Sequence, residues 1–304
     1  MIVNDFKRMV KAFLKGPAAT DLPAPAPIAD PPGTAERLER DRASARKAGM
    51  TNAILHASAD AYFRCVLNDC PLLLPRDMLR TMVHCIEGDV SGPLRLFVET
   101  AHYNWLASKV RGGDVFLDVG AAIGTMALPM AKHPLGVSKV IAFEPALTAN
   151  RRLREVITYN QIANIEVADF AVSDCPGTAS FSEYDFDETG VTPYLPETSA
   201  ITSSMIDPSR SRSYEVTVTT IDAFLAGRSE AALAKVMKID VEGFEVHVLE
   251  GALNFLRAVK PHIAIDIHSH PFQVGTTEAP VRELLDTVGY RFENRDHVLL
   301  CTPA

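Results

Sequence analysis

The apolar positions change their period partway along the chain. Over residues 1–16, Ile2, Val3, Phe6, Met9, Val10, Phe13 and Leu14 recur at helical spacing, with Lys7, Arg8, Lys11 and Lys15 between them. That pattern predicts a basic amphipathic helix. Residues 17–33 are a Pro/Ala linker, which favours an extended, semi-rigid spacer. Residues 34–110 read as a helical N-terminal region of four helices. The first is capped by Thr34. The second runs from Ala53 to Leu67, the third is opened by Pro75, and the fourth spans Leu94 to Val110. Residues 111–304 form the last segment, where short apolar runs alternate with amphipathic stretches.

The runs in this last segment are Val115–Leu117, Val140–Phe143, Asn164–Asp169, Lys235–Asp240 and Pro261–Ile267. Helical stretches separate them, and a hairpin of Tyr290–Phe292 and Val298–Cys301 follows. Strands alternating with helices predict an α/β domain, a mostly parallel sheet with helices on both faces. Ligands of such a sheet gather at the carboxyl ends of its strands. Residues 178–184 and 214–220 alternate as two further strands. The Ser-, Thr- and Pro-rich stretch 185–213 between them reads either as a lid over a substrate or as a disordered insertion.

The first apolar run leads into Asp118-Val-Gly120-Ala121-Ala-Ile-Gly124, and the second ends in Glu144, 24 residues after Gly120. A strand, a glycine turn and a helix make a nucleotide-binding unit, in which glycine lets the backbone approach a ligand closely. An acid about 20 residues beyond such a turn is placed for a ribose diol. The pattern lacks the third glycine of a dinucleotide fingerprint and carries an acid before the first. A diphosphate is therefore the poorer fit. S-adenosyl-L-methionine, with an amino-acid tail and no phosphate, is the better one. The cofactor-binding candidates are Asp118, Gly120, Ala121, Gly124 and Glu144, with Asp169 at the end of the third strand for the adenine amino group.

Composition narrows the partners. The net charge of -8 over 304 residues argues against a general nucleic-acid binder. The five cysteines contain no Cys-x-x-Cys pair, which reads as reduced thiols of a cytoplasmic protein. No run of about 18 apolar residues is present to span a bilayer. Three roles fit the helix at 1–16: docking on its own domain or on a second copy in a homo-oligomer, a peripheral contact with an anionic membrane, or binding another protein. His56, His84 and His102 read as surface or core histidines, since none stands beside a second cluster of ligand-type residues.

Three stretches together resemble the FkbM-type family of S-adenosylmethionine-dependent methyltransferases. They are Asp118-Val-Gly-Ala-Ala-Ile-Gly124, Ala142-Phe-Glu-Pro145, and Lys238-Ile-Asp-Val-Glu-Gly-Phe-Glu245 with Leu249 and Gly251. The resemblance covers about residues 111–301. It implies a Rossmann-like class I methyltransferase with a seven-stranded sheet, a cofactor site at Asp118, Gly120, Gly124 and Glu144, and a substrate side at the Asp240-Val-Glu-Gly motif. It also implies methylation of a hydroxyl on a sugar, glycan, glycolipid or natural product. Two positions depart from the family's pattern. Ala122 stands where Asn is common, and Asp266, followed by His268 and His270, stands where Glu is common.

A hydroxyl acceptor needs a base or a metal, because it is a weak nucleophile while it holds its proton. His268 is the favoured base, with Asp240 and Glu242 as alternatives or as groups that orient the acceptor. Asp240, Asp266 and His268 could together hold a cation, but one carboxylate per strand is a weak signal, and no metal site is assigned. Two other readings compete with a small-molecule or glycan acceptor: an inactive methyltransferase fold that serves as a binding module, and methylation of a protein or nucleic acid.

Overall fold

The computed structural model describes residues 62–75, 78, 86–87, 94–96, 98–184, 211–268 and 275–304. The expectations for the basic helix at 1–16, the linker, the helix from Thr34, His56, His84, His270 and most of 185–213 fall outside these residues.

In chain order the elements begin with strands β1 (Tyr62–Leu67), β2 (Cys70–Pro75), β3 (Ile86–Glu87) and β4 (Leu94–Leu96), then helix α1 (Thr100–Lys109). The next are β5 (Val115–Val119), α2 (Ala127–Ala131), β6 (Lys139–Phe143), α3 (Leu147–Tyr159) and β7 (Ile165–Ala168). After them come β8 (Ala171–Val172), β9 (Gly177–Tyr184), β10 (Ser211–Thr219), α4 (Ile221–Leu225) and β11 (Ala234–Ile239). The last are α5 (Glu245–Glu250), α6 (Leu253–Val259), β12 (His262–Asp266), α7 (Glu278–Thr287), β13 (Tyr290–Arg295) and β14 (Val298–Pro303).

The central sheet has seven strands in the order β13-β14-β12-β11-β5-β6-β7. The five from β12 to β7 are parallel, and β14 and β13 close the edge antiparallel. This is the Rossmann-like methyltransferase sheet. The strand period of two sorts its side chains. Val115, Leu117, Val119, Ile141, Phe143, Met237, Ile239, Ile263 and Ile265 face a core completed by α4 to α7. Phe116, Val140, Ala142, Val236 and Ala264 face the other core, with α1 to α3. Asp118 and Lys238 alternate onto this second face, where they are buried polar residues among apolar neighbours.

The region before residue 100 differs from expectation. Tyr62–Leu67 is a strand rather than the end of a helix, Pro75 ends β2, and Leu94–Leu96 is β4, so only Thr100–Lys109 of the fourth expected helix is helical. The cause is the turn. Asn68 and Asp69 both hold positive φ, 43° and 62°, and Leu67 pairs directly with Cys70. A two-residue hairpin loop requires that backbone, and Asn and Asp adopt it at low cost. Cys65, Leu67, Cys70, Leu72 and Leu74 then alternate inward onto the α1–α3 core. Asn160, at the end of α3, receives Leu73 N–H at 2.7 Å and donates to Leu73 C=O at 2.8 Å, as a neighbouring strand would.

The remaining strands β8, β10 and β9 form a separate small sheet. Tyr184 and Ser211 are paired residues in it. The long helix expected after Asp240 is divided into α5 and α6 at Gly251, where a Cβ would overlap the Ser173 carbonyl oxygen. Among the described residues no helix is long and apolar enough to cross a membrane.

Candidate active site

The loop after β5 is shaped by backbone crowding. Gly120 has φ 80°, and a Cβ there would overlap the backbone oxygen of Asp240. Its N–H and that of Ala121 both donate to Phe143 C=O, at 3.1 and 3.0 Å. Ala122 also lies in the left-handed region, at φ 49°. That backbone costs an ordinary L-residue about 1–2 kcal/mol, and less for Asn, which accounts for Asn being common at this point. Here Glu144 holds the turn. Its Oε2 accepts from Ala122 N–H and its Oε1 from Ala146 N–H, both at 2.7 Å.

Asp118, Gly120, Ala121, Gly124 and Glu144 therefore meet in one arc at the carboxyl ends of β5 and β6. Asp118 is fully buried, and neither of its carboxylate oxygens has a hydrogen-bond partner. Burial raises its pKa to about 7 against the pull of Lys238, whose Nζ is 4.0 Å away. Burial likewise raises Glu144 to about 7, against the two backbone hydrogen bonds. Asp169 lies just beyond β7 with its side chain 69% exposed, ion-paired to Arg154. Asn150 joins Asp169 to the arc: its Nδ2 donates to Asp169 Oδ1 at 2.8 Å and to Glu144 C=O at 2.9 Å.

A second group of side chains adjoins this arc at the carboxyl ends of β11 and β12. Lys238 Nζ lies 3.0 Å from Asp240 Oδ2, donates to Gly120 C=O at 3.2 Å, and stands 3.9 Å from Glu99 Oε2. Burial opposes its charge, yet the Asp240, Glu99 and Asp118 carboxylates keep the ammonium well above its ordinary pKa. His268 Nδ1 is 2.9 Å from Glu245 Oε1, and Nε2 is 3.6 Å from Asp240 Oδ1 and 3.7 Å from Glu242 Oε2. Glu245 is fully buried and also accepts from Gly243 N–H at 2.9 Å. Asp266, beside Asp240, is raised by burial and by the Asp240 charge. Asp240, Asp266 and His268 each offer a ligand atom, all within 4.8 Å of one another.

At His268, burial alone would lower the pKa, but the Glu245 hydrogen bond and the Glu242 and Asp240 charges raise it to about 10. In the empty site those carboxylates favour the imidazolium. His102 is also not isolated. It is buried at the start of α1, edge-on to His297 at 5.8 Å, and His297 Nε2 is 3.5 Å from Asp266 Oδ1. Lys238, Glu245, Glu99 and Asn150 went unassigned from sequence. Only Lys238 left a signal, as a buried charge in a strand whose other lysine, Lys235, is only partly buried.

The family model described as Methyltransferase FkbM domain matches residues 118–292, more than half of the chain. No curated protein sequence matches. Among solved structures, the chain is similar to methyltransferase FkbM of Methylobacillus flagellatus KT at 17% identity and TM-score 0.39, over 66% of this chain and 50% of that one. The match thus spans half the length of that protein. An rRNA methylase of Streptococcus thermophilus matches at 11% identity and TM-score 0.38, over 71% of this chain and 100% of that one. Sp1610 of Streptococcus pneumoniae, solved in complex with S-adenosyl-L-methionine, matches at 13% identity and TM-score 0.38, over 67% and 72%.

Proposed function

We propose that this chain, which belongs to the FkbM methyltransferase family, methylates a hydroxyl group of a small molecule or glycan with S-adenosyl-L-methionine as donor. The single observation that carries this reading is Lys238. Its ammonium touches both the loop carbonyl of Gly120 and the carboxylate of Asp240, so the donor arc and the acid–histidine cluster share one wall.

The arc suits the donor in three respects. The buried Asp118 carboxylate, whose cationic neighbour Lys238 stands off at 4.0 Å, matches a ligand ammonium. Glu144 keeps a second lone pair on each oxygen for a ribose diol. The missing side chain at Gly120 lets the ligand lie against the backbone. The donor supplies an electrophilic methyl group on a sulfonium. The protein's part is to align the acceptor oxygen with it and to remove the acceptor's proton. Asp240 and His268 orient the hydroxyl, and Glu242 is the base. Glu242 holds φ 54°, a backbone state that is costly for a glutamate and that concentrates at functional sites.

The test is calorimetric titration with S-adenosylhomocysteine on wild type and Glu144→Ala, followed by methyl-transfer assays beginning with glycosyl hydroxyls. Micromolar binding that the substitution removes, together with turnover on a hydroxyl acceptor, supports the reading. Binding without turnover on any acceptor class favours an inactive binding module. Turnover only on a nucleic acid or protein favours that acceptor class instead.

A further inference from the structure

Strands β11 and β12 run parallel, with Ile239 opposite Ile265. The next residue on each strand is therefore an aspartate at the same level, Asp240 beside Asp266, and His268 follows two positions later. Lys238 occupies Asp240 Oδ2 and leaves Oδ1 toward His268. The buried Asp266 Oδ1 accepts no hydrogen bond, its nearest cationic neighbour being His297 Nε2 at 3.5 Å. On the far side of the ring, Glu245 is fully buried, has its Oε1 on His268 Nδ1, and has no partner for its Oε2. A carboxylate accepting from Nδ1–H leaves Nε2 as the ligand once a cation displaces its proton, the arrangement found behind most metal-bound histidines.

Nε2 faces Asp240 and Glu242 at 3.6 and 3.7 Å, too far for normal hydrogen bonds. Ligands of one octahedral ion at about 2.1 Å stand roughly 3 Å apart when adjacent and about 4 Å when opposite. The three ligand atoms all lie within 4.8 Å of one another, a limit wider than that range, so the side chains draw in around a bound ion. Four carboxylates, Asp240, Glu242, Glu245 and Asp266, surround one imidazole, while Lys238 sits to one side of Asp240.

We propose that Asp240, Asp266 and His268 bind a divalent cation of the magnesium–manganese class. Three protein ligands leave positions for water and for an acceptor oxygen. What the cation does there rests on the methyl-transfer reading. It lowers the pKa of the acceptor hydroxyl; Glu242 takes the proton, the oxygen forms its bond to the methyl carbon, and the sulfur keeps the electron pair of the broken C–S bond.

The test is titration of the full chain with manganese(II), followed by calorimetry and by electron paramagnetic resonance. Wild type should bind one ion per chain. Asp266→Asn and His268→Gln should each weaken binding more than tenfold, and Glu245→Gln by about 10- to 100-fold. Thermal melting and S-adenosylhomocysteine binding check that each variant folds. No saturable binding to wild type at millimolar manganese overturns the proposal, and so does binding unchanged in folded Asp266→Asn and His268→Gln. If the ion binds at these residues and S-adenosylhomocysteine does not bind wild type, the metal site stands and the methyl-transfer reading falls. The reverse pattern overturns the metal site alone.

Discussion

Lys238 places its ammonium 3.0 Å from the carboxylate of Asp240, two residues along the same strand and on the same face of the sheet. Lys238 is buried, whereas Asp240 keeps some contact with water. Removing one partner of a buried pair costs about 3–5 kcal/mol, because the remaining charge is stranded. Lys238→Met should therefore destabilise by about 3 kcal/mol, the low end, since Asp240 stays partly hydrated. Lys238→Met/Asp240→Asn should recover part of that loss. Denaturant unfolding of the two singles and the double measures the coupling, and strictly additive effects would reject the pairing as an energetic unit.

Gly120→Ala should be among the most damaging single-methyl changes in the chain. The added carbon meets the backbone of Asp240, which cannot swing aside as the end of a side chain can, and φ is already positive. A loss of about 2 kcal/mol or more is expected, with S-adenosylhomocysteine affinity lowered at least 100-fold. A variant that melts and binds like wild type would show that the loop does not lie against β11 as described.

How far this arrangement could be read from sequence depended on range. The strands carrying Asp118, Glu144 and Asp240 are apolar runs closed by an acid, and that signal is local. The hairpin at residues 62–75 is hidden in the sequence because Ile54, Ala57, Ala61 and Val66 also fit a helical stripe, which the Asn68-Asp69 turn breaks. Lys238 was visible as an odd charge in a strand, but its second contact, Gly120, lies 118 residues away. His268 stands out by its place at a strand end, but the charge that its neighbours favour is not legible there. Its state follows from Glu245, Glu242 and Asp240, and strand period alone does not say how many carboxylates converge on one ring.

Cofactor affinity should rise with pH through neutrality. Asp118 and Glu144 are raised to about 7 by burial. For the empty protein, the stability this confers is complete below the unfolded values near 4 and is lost as pH rises through 7. The ligand's α-ammonium and ribose diol both favour the ionised carboxylates, so binding below pH 7 must first release protons. Calorimetry with S-adenosylhomocysteine from pH 6 to 8.5 should show the dissociation constant falling several-fold and levelling off above about 8. Tighter binding at pH 6 than at pH 8 would remove both acids from the ligand's surroundings.

The hairpin of β1 and β2 is tied to α3 by a polar clasp, beside a hydrogen bond from Lys132 Nζ to Pro71 C=O at 3.1 Å, and it should loosen when the clasp is cut. Asn160 satisfies both backbone groups of Leu73 from the end of α3, and no other residue type of its size offers a donor and an acceptor in that spacing. Asn160→Ala leaves the Leu73 N–H and C=O without these partners at a partly buried position, a loss of about 1–3 kcal/mol. Asn160→Asp keeps the acceptor but presents a carboxylate oxygen to the Leu73 carbonyl and should cost at least as much. Because Leu72 and Leu74 remain buried in the core, the sheet itself should stay folded. Hydrogen exchange should accelerate over residues 64–75, while β5, β6 and β11 keep their protection. Uniform acceleration across the chain would mean that hairpin and sheet unfold as a single unit and that the clasp has no local role.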